Sequence, residues 1–224
     1  MNVIIVEGLS DKKFLEAYIS YLNEKFQKRY LIIDRVRDAK GQNAILSALN
    51  TQKIQKYRLR KMKLKILVFL LMRITQACKI KNIINPAIEK AFGVKNAIES
   101  PNDKVSIDFE GNIFNLFCYI CNIDGKGELE DILQEIRKDK NTQLPLCLDQ
   151  FVSCMNGFNE AYPEKEYKKN LIYFYAFECI CKEKELEPDE IKSKLKSYNY
   201  FTSEYWDFEH FRLKELRQFL ELFR

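Results

Sequence analysis

The sequence predicts an α/β fold with a mostly parallel sheet, helices on both of its faces and a helical C-terminal region. In the first part of the chain, short apolar runs alternate with stretches whose apolar residues recur every three or four positions. This alternation predicts parallel strand pairing, because a helix that follows a strand returns the chain to the same end of the sheet. After about residue 144 only the helical pattern continues. We therefore expect an α/β domain over residues 1–143 and a helical region over residues 144–224 packed on it.

The composition is that of a globular protein. The chain has 224 residues, of which 46% are hydrophobic, and this is enough to bury a sizeable core and to exclude the disordered class. Its seven cysteines are scattered and odd in number, and the sequence does not begin like a signal peptide, so we expect reduced thiols in the cytoplasm. The strongest apolar run, residues 64–72, is too short to cross a membrane.

Four runs rich in β-branched and aromatic residues predict strands. They lie at Asn2–Val6, Tyr30–Ile33, Lys65–Leu70 and Asn112–Cys121.

Helical periodicity predicts the elements between and after these strands. The predicted α/β domain has helices at about residues 11–26, 41–56 and 85–92, with a further one starting at residue 127. Gly93 provides the C-terminal stop typical of the third of these helices. The C-terminal region has helical patterns at residues 146–158, 166–183, 188–195 and 209–223.

The most informative motif follows the first strand. Gly8 permits a sharp turn after Glu7, Ser10 occupies the position of a helix N-cap, and Asp11 lies in the first turn of the next helix. Glu7 and Asp11 are thus expected close together at the carboxyl edge of the sheet, where open α/β folds bind ligands. Two carboxylates there could hold Mg²⁺. The alternative is an acid at a strand end followed by an acid that caps a helix.

A basic run precedes the third predicted strand. No acidic residue interrupts it, so it could neutralise the phosphates of a nucleic acid. The alternative is the solvated end of a helix that leads into the strand. The run comprises Lys53, Lys56, Arg58, Arg60, Lys61 and Lys63, and it continues to Lys65.

These motifs resemble the Toprim family, the phosphoryl-transfer domain of topoisomerases, primases and overcoming-lysogenization-defect nucleases. Glu7-Gly8 matches the Glu-Gly turn after the first strand of that family, and Asp11 matches a second acid found in the nuclease members. The segments Gly127–Leu133 and Trp206–Phe208 are similar to a small stand-alone Toprim-like family of unknown function.

The resemblance implies a Mg²⁺-dependent nuclease that acts on phosphodiester bonds. In that reading Glu7 is a metal ligand or general acid/base, Asp11 is a second ligand, and Glu130 assists catalysis. The basic run would hold the backbone of the nucleic acid.

One part of the Toprim pattern is missing. The family has Asp-x-Asp after the strand that corresponds to Lys65–Leu70, whereas here Leu71–Thr75 follows, with no acid between Lys53 and Ile88. Asp34 and Asp38 are the nearest substitutes, with Asp34 expected to end the second strand and Asp38 expected in a polar loop. We therefore expect Mg²⁺ binding to be weak or absent. The alternative function is a non-catalytic module that binds nucleic acid or a protein partner.

A shifted reading frame is one explanation for the missing acids. The codons of Leu71–Thr75 allow an Asp-Ala-Asp-Asn sequence in another frame, and the alternative is coincidence. If Leu71–Asn85 is translated out of frame, the segment should be irregular and poorly packed. The coding DNA of this segment distinguishes the two explanations.

Overall fold

The structure is a computed structural model. It describes residues 2–6, 8–26, 35–38, 66–71, 80–100, 103–109, 111–120, 128–157, 161–183 and 185–223.

The chain forms two compact units. The first consists of Met1–Leu129 together with Leu213–Arg224, and the second of Glu130–Arg212. The second unit is therefore inserted into the sequence of the first. The predicted division at residues 143 and 144 differs from these units, because it assigned Glu130 to the first domain and the C-terminal segment to the second.

The first unit contains a five-stranded sheet. Its strands are β1 (Asn2–Val6), β2 (Arg35–Asp38), β3 (Ile66–Leu71), β4 (Lys104–Phe109) and β5 (Asn112–Ile120). They lie in the order β2-β1-β3-β5-β4. β1 pairs in parallel with both β2 and β3, β3 pairs in parallel with β5, and β4 pairs antiparallel with β5.

Two helices follow strands of this sheet. α1 (Leu9–Lys25) follows β1 and buries Phe14, Leu15, Tyr18 and Leu22 at three-to-four spacing. α2 (Asn85–Phe92) is preceded by a π-helical turn at Ile80–Ile84. One hydrophobic cluster joins α2 to the sheet, and it includes Val3, Ile5, Ile84, Ala87, Ile88, Ile107 and Leu116.

The hairpin of β4 and β5 corrects the predicted fold class, which was a mostly parallel Toprim-like sheet with helices on both faces. In place of the single strand expected at Asn112–Cys121, two antiparallel strands are joined by a tight turn, and the sheet is mixed. Gly111 makes the turn possible, because its φ of 75° lies in the left-handed region that favours glycine. Moreover, helices rather than strands make up most of the described residues.

The second unit is helical where it is described. α3 (Leu129–Glu135) begins at the boundary, and α4 (Gln143–Asn156), α5 (Glu164–Lys182) and α6 (Pro188–Ser197) follow. Its core contains Trp206, which is fully buried, packs edge-on against Tyr175 and donates a hydrogen bond from its indole N–H to the carbonyl of Tyr200. The chain then returns to the first unit as α7 (Lys214–Leu220), between 3-10 turns at Phe211–Leu213 and Glu221–Phe223.

Several predicted elements are confirmed. β1 and α2 have the predicted bounds, and Gly93 ends α2 with a φ of 74°. The strand predicted at Tyr30–Ile33 and the helix predicted at residues 41–56 lie outside the described residues.

The segment expected to be irregular is partly described. For residues 80–85 the expected poor packing is wrong, because Ile80 and Ile84 are buried in the hydrophobic cluster and Asn85 begins α2. The backbone of Ile80–Ile84 is nevertheless a π-helical turn rather than a regular α-helix. Residues 72–79 lie outside the described part of the chain.

Among the described residues, no helix combines the length and the apolar character needed to cross a membrane.

Candidate functional site

The candidate site lies at the carboxyl edge of the sheet. β1 has β2 on one side and β3 on the other, so the connection from β2 to β3 crosses to the far side of β1. This reversal of strand order is where open α/β sheets bind ligands, outside the carboxyl ends of the strands. Val6 ends β1 at this point, and Glu7 is the next residue in the chain.

The turn after β1 is closed by Asp11. Gly8 precedes α1 with extended backbone, and its N–H donates a hydrogen bond to Asp11 Oδ2 at 2.8 Å. The first helical bond runs from the N–H of Lys12 to the carbonyl of Gly8 at 3.1 Å. The carboxylate of Asp11 therefore connects the first turn of α1 to the residue that follows Glu7.

Asp11 is also nearly buried, with 9% of its surface exposed. A buried carboxylate is costly unless hydrogen bonds compensate for the lost water, and the N-terminus of a helix favours its negative charge. The hydrogen bond and the burial of Asp11 thus agree with helix capping, one of the two alternatives that the sequence offers for this residue. Its role as a metal ligand stays a prediction.

Asp38 lies at the same edge of the sheet. The parallel register of β1 and β2 pairs Val6 with Asp38, the last residue of β2. Asp38 was expected in a polar loop because the second strand was predicted upstream, so this expectation was wrong. The sequence signal for this strand is Val36, an apolar residue between two charged ones, because such alternation is typical of a short strand. Asp34 lies outside the described residues.

Glu130 belongs to the second unit. It lies in the first turn of α3 and is half-buried. Burial, followed by the charges of Tyr198 and Glu130, raises the pKa of Tyr200 above its usual range. Glu130 thus lies near Tyr200 of its own unit.

The described residues do not by themselves fit a Mg²⁺ site. No three potential ligands from His, Cys, Asp and Glu come together among them. Asp11 is the one predicted metal ligand whose side chain the structure describes, and its Oδ2 accepts the bond from Gly8. Glu7 and the six basic positions Lys53, Lys56, Arg58, Arg60, Lys61 and Lys63 lie outside the described residues.

Comparisons with models of protein families, with curated proteins and with solved structures found no match.

Proposed function

We propose that the protein derives from a Toprim-type, Mg²⁺-dependent nuclease, that it acts on the phosphodiester backbone of nucleic acid, and that cleavage is impaired in this chain. The impairment follows from the missing Asp-x-Asp, which leaves no acid between Lys53 and Ile88. β3, the strand after which the family has Asp-x-Asp, is the neighbour of β1 at the point where the strand order reverses.

The position of the Glu7-Gly8 turn carries this proposal. β1 lies between two strands that run parallel to it, and its last residue precedes Glu7 directly. A glutamate that directly follows such a strand in the chain is a candidate to contact a phosphate ester bound at this edge, and a carboxylate can exchange protons with attacking water or a leaving oxygen. The basic run from Lys53 to Lys63 supports a polyanionic ligand.

Cleavage assays test the catalytic part of the proposal. Single- and double-stranded DNA and RNA are incubated with the protein and Mg²⁺, and the wild type is compared with Glu7→Gln. We expect slow cleavage that falls by about 100-fold in Glu7→Gln, since general acid–base catalysis contributes about that much. Glu24→Gln, in an exposed position of α1, is the matched control and should cleave like the wild type. Cleavage that survives in Glu7→Gln would contradict the role of Glu7.

A second candidate is a non-catalytic module that binds nucleic acid or a protein partner. The hydrogen bond from the Gly8 N–H to Asp11 Oδ2 favours this non-catalytic module, because that oxygen caps the N-terminus of α1. In this case we expect salt-sensitive binding of nucleic acid without cleavage.

Salt dependence tests the basic run in either case. If Lys61 and Lys63 each contact a phosphate of double-stranded DNA, Lys61→Ala/Lys63→Ala should reduce the slope of log affinity against log salt by about 1.8. Lys192→Ala/Lys196→Ala removes two exposed lysines from α6 as a matched control, and its slope should be unchanged. Equal slopes for both double variants would exclude the basic run as the binding surface.

A further inference from the structure

We infer that Asp11 is a positioning residue, which restrains the backbone at Gly8, the residue after Glu7, through the N–H of Gly8 rather than by binding a metal ion. The inference deepens the proposed function and rests on it, because the turn matters only if Glu7 contacts the ligand. In this role the carboxylate of Asp11 restrains the backbone of the turn and does not supply negative charge to a bound metal ion.

The hydrogen bond itself is the first argument. A bond of 2.8 Å to a carboxylate is a strong, charge-assisted one, and it restrains a glycine that would otherwise have the widest backbone freedom of any residue. Gly8 is bonded to Glu7, so the restraint acts one peptide unit from the proposed catalytic carboxylate.

Close packing of the turn is the second argument. A Cβ atom added to Gly8 would lie 3.2 Å from Asp11 Oδ2, a contact tighter than ordinary van der Waals distance. Asp11 is also nearly buried, and its helix is held to the core by Phe14 and Tyr18, which are fully or almost fully buried. The carboxylate is thus held against the turn by the packing of α1.

Two substitutions separate positioning from metal binding. Asp11→Asn keeps an oxygen that can accept the Gly8 N–H but removes the negative charge, whereas Asp11→Ala removes both. If Asp11 positions the turn, Asp11→Asn keeps the wild-type affinity for a single-stranded DNA oligonucleotide in Mg²⁺, and Asp11→Ala weakens it several-fold. If Asp11 is a ligand, both variants lose affinity to the same extent.

A matched control removes the same kind of cap elsewhere. In α6, the N–H of Glu187 donates to Glu190 Oε2 at 2.9 Å, so Glu190→Ala loses an equivalent bond in the second unit. This variant should bind the oligonucleotide like the wild type when the folded fractions are equal. If Asp11→Ala binds no more weakly than Glu190→Ala, the Gly8 contact is merely structural and the inference is overturned.

Hydrogen exchange at the Gly8 amide keeps the test independent of the proposed function. We expect exchange to be slow in the wild type and in Asp11→Asn, and about tenfold faster or more in Asp11→Ala, as expected for loss of a bond to a charged group. Unchanged exchange in Asp11→Ala would overturn the inference. If the wild type binds neither nucleic acid nor Mg²⁺, the proposed function is wrong, and Asp11 has no ligand-binding group to position. The exchange data still show in that case whether the Gly8 N–H is hydrogen-bonded to Asp11.

Discussion

At the scale of single residues, Asn85 forms two buried hydrogen bonds with one distant residue. Its side-chain N–H group donates to the carbonyl of Ile98 at 2.8 Å, and its oxygen accepts the N–H of Ile98 at 3.0 Å. The amide thus takes the place of a strand partner for Ile98, and it fixes the loop after α2 to the start of that helix.

Replacement of this amide should be costly. Asn85→Ala leaves both polar groups of Ile98 unpaired in the core, and we expect the free energy of unfolding to fall by about 2–4 kcal/mol. Urea unfolding followed by circular dichroism measures the loss, and hydrogen exchange at the Ile98 amide locates it. Lys90→Ala, in an exposed position of α2, is the control and should change stability by less than about 0.5 kcal/mol. Equal stability of the two variants would contradict the role of Asn85.

At the scale of elements, the N-terminus of α4 is capped by a side chain from α5. Glu178 is almost buried, and its Oε2 accepts the N–H of Leu144 at 2.7 Å. Burial alone would raise the pKa of Glu178, but hydrogen bonds from the N–H groups of Gln143 and Leu144, together with Lys182, outweigh it and lower the pKa. The two helices are therefore held together by an ionised carboxylate.

This cap predicts a pH dependence of stability. The pKa of Glu178 is lower in the folded than in the unfolded chain, so protonation favours unfolding. The stabilisation is fully present above the ordinary value of 4.5 and is lost as the pH falls through the folded pKa. In Glu178→Gln this loss should disappear, which urea midpoints measured across this pH range would detect. Glu204→Gln, in an exposed turn of the same unit, should keep the wild-type profile.

The elements also show what the sequence could and could not predict. β1 and α2 were predicted with correct bounds because β1 is a continuous apolar run, α2 has helical periodicity, and a glycine follows each of them, Gly8 or Gly93. β4 was missed although Val105 and Ile107 alternate with polar residues, because it has no continuous apolar run and its pairing depends on the turn at Gly111. The hydrogen bond from Gly8 to Asp11 could not be predicted from the sequence, because an acid that caps the helix and an acid that binds a metal ion would occupy the same position.

At the scale of the whole molecule, a hydrogen bond and an ion pair hold the two ends of the second unit together. The N–H of Asp207 donates to the carbonyl of Ile136 at 2.7 Å, and Arg212 pairs with Glu135 at 2.7 Å. Both contacts join the first residues of this unit to its last ones. Its chain ends are thus adjacent, as is usual for a domain inserted into another one.

We therefore predict that residues 130–212 fold when expressed alone. Trp206, the single tryptophan of the chain, is fully buried in this unit and reports its folding directly. The fragment should show helical circular dichroism and a cooperative thermal transition in tryptophan fluorescence. Residues 130–206 keep Trp206 but lack Asp207 and Arg212, which close the unit, and serve as the control, which should not unfold cooperatively. A fragment 130–212 without cooperative unfolding would contradict the prediction.

The return of α7 to the first unit has a consequence for synthesis on the ribosome. Phe219 of α7 stacks on Tyr119 of β5 with ring centroids 4.6 Å apart, so part of the sheet is covered by a helix that is translated after the second unit. Domains usually fold in the order in which they emerge. Here the later unit can complete its fold first, while the nascent sheet still exposes Tyr119. The nascent chain is thus most exposed to aggregation or chaperone binding in the interval before α7 leaves the ribosome.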